Sequence, residues 1–132
     1  MDKNLRSRVL SRLPRKKLAK AIVHVQATYN NTRVLVTDEK GGAVMSASSG
    51  SLGFKGAKKG TPYAAAKVGE VIGEKAEMIG VKEVEVVVKG VGSGRESAIR
   101  GFISKCNATI TKIEDRTPIP FNGPRPRKAR RV

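Results

Sequence analysis

The 132-residue sequence predicts an α/β domain carrying a cationic extension at each end. Three observations predict it. Short β-branched runs with period-two alternation fill residues 21–48 and recur near residues 84 and 109. Two stretches with apolar residues three and four apart, the helical period, lie one on each side of the run near residue 84. The formal charge of +16 is concentrated at the two ends of the chain.

That charge bounds the function. Lys and Arg total 27 against 11 acids, and the pI is near 10.6, an excess that points to a polyanionic partner. Residues 1–20 hold eight basic side chains and one acid, and residues 117–132 hold five basic and none acidic. The 96 residues between them hold 14 basic and 10 acidic, an ordinary globular balance. The expected organisation is therefore a basic arm over 1–20, one α/β domain over 21–116 and a basic, proline-rich tail over 117–132. A single cysteine excludes an intramolecular disulfide. No apolar run approaches the ~18–20 residues of a membrane span. The first residues lack the apolar centre of a secretory signal, while an organelle transit peptide is the alternative reading of a basic, acid-poor start.

Each element has a local reason. In the run from Ala21 to Ala27, Val23, Val25 and Ala27 share one face, opposite Ile22, His24 and Gln26. Asn30 and Asn31 predict a tight turn through positive φ. Residues 33–37 return, 38–42 make a polar, glycine-ended turn, and 43–48 complete a three-strand meander. Next comes Gly50-Ser-Leu-Gly-Phe-Lys-Gly-Ala-Lys-Lys-Gly-Thr-Pro62, with four glycines, three lysines and no acid. It reads as a loop without core residues, offering backbone amides and charge to phosphate. Thr61 and Pro62 predict a helix start. Ala65, Val68, Ile72, Ala76 and Ile79 mark the buried stripe, Lys67, Glu70, Glu74 and Glu77 the solvated side, and Gly80 the stop. Gly69 and Gly73 predict close approach of another element.

The run from Val84 to Lys89 is the most β-branched and reads as the central strand. A glycine turn over 90–94 leads into a second helix, with Ser93 and Glu96 as a capping box. Ile99, Phe102, Ile103 and Cys106 form its stripe, and Asn107 its end. Residues 108–114 make the last strand. Four prolines keep the tail extended. In the tail, Asn122-Gly123 is a sequence prone to deamidation, because glycine leaves the asparagine carbonyl unshielded.

Catalytic chemistry finds no footing. A dinucleotide fingerprint through Gly90 and Gly92 needs glycine where Arg95 stands, and no Gly-Lys-Ser/Thr phosphate loop occurs. His24 is the only histidine, and the three aspartates are Asp2, Asp38 and Asp115, so neither a nucleophile–base pair nor a two-metal carboxylate set is evident. No enzyme, cofactor or metal is expected. Five aromatic residues argue against a stacking sheet, although Phe54 and Phe121, set among Gly, Pro and cations, suit base stacking. For Phe54, docking onto its own domain is the equal alternative.

Several stretches resemble a known family. Ala27-Thr-Tyr-Asn-Asn-Thr32, Val36-Thr-Asp38, Gly53-Phe-Lys-Gly56, Thr61-Pro-Tyr-Ala-Ala65, Val88-Lys-Gly90, Gly92-Ser-Gly-Arg-Glu96 and Thr117-Pro-Ile-Pro120 together resemble small-subunit ribosomal protein eleven. The resemblance runs in order from about residue 21 to 132, and the tail looks like the bacterial and organellar branch. Pro124 stands where that branch usually has cysteine, and Val91-Gly92 where it has Pro-Gly; neither departure removes charge. The resemblance implies a three-layer α/β/α fold of ribonuclease-H-like topology, with a five-stranded mixed sheet whose second strand is antiparallel. It also implies a place on the platform of the small ribosomal subunit, among small-subunit rRNA and neighbouring platform proteins, with mRNA nearby.

The rRNA-binding residues expected on these grounds fall in five segments. They are Asn30 and Asn31; Phe54, Lys55, Lys58 and Lys59; Ser93, Arg95 and Arg100; Asn122, Arg125, Arg127, Lys128, Arg130 and Arg131; and, in the arm, Arg12, Arg15, Lys16 and Lys17. The expected setting is a cytoplasmic ribosome, with an organellar ribosome as the alternative.

Overall fold

The computed structural model describes residues 18–131. Strands β1 (Lys20–Ala27), β2 (Thr32–Thr37) and β3 (Ala43–Ser48) form the meander, and a short 3-10 turn (Gly56–Gly60) leads into helix α1 (Pro62–Met78). Strand β4 (Glu83–Gly90), helix α2 (Arg95–Lys105) and strand β5 (Thr109–Asp115) follow. The strands make one mixed sheet in the order β3-β2-β1-β4-β5. Only β2 runs against the rest: it is antiparallel to β1 and β3, while β1 is parallel to β4 and β4 to β5. The α/β class and the five-stranded mixed sheet are those the sequence implied. The middle position belongs to β1, however, and β4 is the interior strand beside it.

Strand alternation decides which face is covered. Val23 pairs with Val36 and Val86, and Val25 with Val34 and Val88, so the buried residues of three strands stack on one face. Val68, Ile72 and Ala76 of α1 and Ala98 and Phe102 of α2 belong to the same buried cluster. Both helices therefore lie on that face, and the described residues form two layers, sheet and helices; the third layer of the expected α/β/α arrangement is not formed by the described residues. The helices share a side because glycine lets them touch. A Cβ at Gly69 would collide with the backbone carbonyl of Ala98, and one at Gly73 would sit 2.7 Å from the Phe102 carbonyl.

The helix ends show where local patterns held. Thr61 Oγ1 accepts the Ala64 N–H at 3.3 Å with Pro62 at the first helical turn, and Gly80 follows the helix with φ of +82°. At α2 the expected capping box is absent: the N-cap is Gly94, and Ser93, one residue too early, donates its hydroxyl to the Gly60 carbonyl at 2.9 Å. The buried stripe of α2 runs through Ala98, Gly101 and Phe102, leaving Ile103 43% exposed. The helix ends at Lys105, with Cys106 as its cap rather than Asn107.

Cys106 is inert core, as its place on the stripe suggested. It is 1% exposed, and burial pushes its thiol up to about 11. His24, on the other face of the sheet, contacts Thr37 Oγ1 through Nε2 at 3.1 Å. Burial, and then the charges of Lys89 and Arg116, lower its pKa, so it is a neutral structural histidine at pH 7.

Candidate nucleic-acid interface

The strand directions gather four of the five expected RNA-binding segments. Because β1, β3, β4 and β5 run the same way, the segments that follow them all emerge at one end of the sheet. These are the 28–31 turn, the 49–61 loop, the 91–94 turn and the tail. The N-termini of α1 and α2 lie at this end too, adding partial positive charge. The first three segments are packed together. A Cβ at Gly60 would collide with the Tyr29 carbonyl, and one at Gly92 with the Thr28 carbonyl, so these contacts require glycine.

The 49–61 loop differs from its expectation. Leu52 is completely buried (0% exposed) and belongs to the hydrophobic core, so the loop has an anchor. Its early amides are internally bonded: Leu52 N–H to the Ser48 carbonyl, Gly53 N–H to that of Gly50 and Phe54 N–H to that of Ser49. These three N–H groups do not face a ligand. Its charge is more open: Lys55 and Lys58 are exposed and Lys59 half-buried. Phe54 is also half-buried, packed on the core and edge-to-face against Tyr63 with centroids 6.0 Å apart and planes at 82°.

The first turn is built from side chains. Thr28 N–H donates to the Asn31 carbonyl at 2.8 Å, and Thr28 Oγ1 both donates to that carbonyl and accepts the Asn31 N–H. Neither asparagine needs positive φ; among the described non-glycine residues only Asn122 has it, at 60°. Asn30 is exposed and Asn31 half-buried. Beside them Tyr29 is 77% exposed, a ring outside the expected contact set. Its signal was available: an aromatic residue immediately before an Asn-Asn turn has no strand or helix period to bury it.

Arg95 is committed within the chain, its Nη1 donating to the Gly90 carbonyl at 3.0 Å and Nη2 meeting Asp115 Oδ2. Arg100 is exposed more than a turn into α2, beside Glu96 at 3.7 Å, a pairing of little energetic consequence. Asn122, Arg125, Arg127, Lys128, Arg130 and Arg131 all lie in the exposed tail, where Phe121 is 95% exposed. Arg12, Arg15, Lys16 and Lys17 lie outside the described residues. Among the described residues, no group of three or more His, Cys, Asp or Glu is placed to hold a metal ion. No described helix is long and apolar enough to cross a membrane.

An α/β scaffold with lysines, helix N-termini and an exposed cationic tail at one end has the charge distribution of a polyanion-binding protein. The matching family is narrower: the model for Ribosomal protein S11 matches residues 21–131. Two proteins named "Small ribosomal subunit protein uS11", from Novosphingobium aromaticivorans and Sphingopyxis alaskensis, are each 50% identical over 123 residues, covering 93% of this chain and 95% of theirs. The chain belongs to the ribosomal protein S11 family. Membership places it among structural, non-enzymatic proteins.

Proposed function

We propose that this chain is a structural constituent of the small ribosomal subunit, acting in translation by binding small-subunit rRNA through the carboxyl end of its sheet. The 21–116 domain is the scaffold, and the arm over 1–20 and tail over 117–132 are extensions that neutralise phosphates. One observation carries this reading: four parallel strands deliver a lysine loop and a cationic tail, both free of acids, to the same end of a chain of this family. Lys55, Lys58, Lys59 and the five tail cations supply charge, Asn30, Asn31, Ser93 and Asn122 short polar contacts, and Tyr29 and Phe121 open rings for unstacked bases. Phe54 acts chiefly as the loop's anchor on Tyr63, with its exposed edge toward RNA. Arg100 and the arm cations Arg12, Arg15, Lys16 and Lys17 extend the contact. The site on the subunit is the platform, beside neighbouring platform proteins and the exit path of mRNA, in a cytoplasmic ribosome or an organellar one.

Sedimentation of a cell extract tests the assignment. The chain is expected almost wholly in the small-subunit, whole-ribosome and polysome fractions. A substantial free pool, or a pool on other RNAs, would contradict it and favour a free RNA chaperone.

A further inference from the structure

The root of the tail is closed by a ring of hydrogen bonds joining three chain segments. Gly90, at the end of β4, donates its N–H to Thr117 Oγ1 at 3.1 Å, and its carbonyl accepts from Arg95 Nη1 at 3.0 Å. Arg95 Nη2 meets Asp115 Oδ2 at 2.5 Å. Asp115 Oδ1 accepts both the Thr117 hydroxyl at 2.6 Å and the Thr117 N–H at 2.9 Å. Each of the four residues is bonded on two sides, so the ring is stiffer than any one of its contacts. Beyond Thr117 every described residue is exposed. The tail thus has a hydrogen-bonded root and an exposed remainder.

We infer that the Gly90–Arg95–Asp115–Thr117 ring is a positioning device for RNA binding, setting the direction in which the cationic tail leaves the domain. This rests on the RNA-binding reading above. A tail held at its root loses less freedom when its cations reach phosphates, and its effective concentration near the 90–95 turn is higher. Arg95 is then a positioning residue, because its guanidinium is occupied by Asp115 and Gly90. The two possible roles of Asp115 differ in sign. If electrostatics alone acted, this acid beside RNA would weaken binding, and removing it would free Arg95 and tighten the complex. If the ring positions the tail, removing the acid weakens the complex although net charge rises by one.

Competition for incorporation into small subunits decides between them. Isotope-labelled wild-type chain and an unlabelled variant are mixed with small-subunit rRNA and the other small-subunit proteins, and their ratio in the assembled particle is read by mass spectrometry. Asp115→Asn and the uncharged break Thr117→Val are each expected to be under-represented by about fivefold, the order of a lost coupled network. Thr117→Ser, which keeps the hydroxyl, is expected to match wild type. In a second background Arg125, Arg127, Lys128, Arg130 and Arg131 are changed to Gln, and there the Asp115→Asn and Thr117→Val deficits should vanish. Better incorporation of Asp115→Asn, or a deficit that persists unchanged in the neutralised-tail background, would overturn the ring's role alone. Wild-type incorporation of the neutralised-tail chain itself would overturn the tail's RNA-binding role and the ring with it.

Discussion

The two ends of the sheet are made differently. At the carboxyl end, the 49–61 loop and the tail carry eight cations and no acid. At the opposite end, the 38–42 turn mixes Asp38, Glu39 and Lys40, and is organised on itself by Asp38 Oδ1, which accepts the Lys40 and Gly42 N–H groups at 3.0 and 2.7 Å. Lys82 and Lys105 are exposed there, one before β4 and the other at the end of α2. The contrast shows how topology turns scattered sequence charge into a directed surface. Local composition decides which segments are cationic, and strand direction decides that the 49–61 loop and the tail meet.

The largest effect should come from the carboxyl end's connection to the core. Leu52→Ala removes a fully buried side chain and is expected to cost about 2–5 kcal/mol in denaturant unfolding, although the residue lies in a glycine-rich loop. A change within about 0.5 kcal/mol, as for an ordinary surface position, would mean that the loop is an appendage and that the two ends are equally loose.

A smaller effect should follow from acid. Hydrogen bonds from Thr117, and then from Arg95, hold the Asp115 carboxyl down at about 2, against an ordinary value of 3.8. Its contribution to the tail root is fully present above the ordinary value and is lost as pH falls through about 2. At the opposite end Cys106 stays protonated until about pH 11. Between pH 5 and 9 neither group changes charge. Tail-root order, followed by the amide signals of Gly90 and Thr117, should therefore be flat in that window and fall only below about pH 4. Loosening near neutrality would break the assignment of the ring to Asp115.

Much of the scaffold was legible in the residues. The valine alternation in β1, β2 and β4, the Thr61-Pro62 start and the Gly80 stop are local signals, and they report local structure. The Gly69–Gly73 pair was also readable as a close approach, although its partner was not. What could not be read depends on contacts distant in sequence. Leu52 has no periodic apolar neighbours, so nothing marked it as core. Asn30 and Asn31 suggested positive φ, but Thr28 closes the turn without it. Ser93 looked like a cap because Ser and Glu stood three apart; the helix begins one residue later, and its hydroxyl meets the Gly60 carbonyl instead. Arg95 and Asp115 lie twenty residues apart, a spacing that means nothing until β4 and β5 are neighbours.

The central claim is that RNA faces the carboxyl end, and salt dependence tests it most directly. Lys55→Ala/Lys58→Ala/Lys59→Ala and a matched control, Lys40→Ala/Lys82→Ala/Lys105→Ala, lower the net charge equally at the two ends. Binding of each to small-subunit particles assembled without this chain is measured across a range of salt concentrations. Counterion release gives each phosphate-contacting cation ~0.7–0.9 of slope, so the first variant should lose roughly 2 to 3 units of slope and the control almost none. Equal losses, or an unchanged slope in the first variant, would contradict the account.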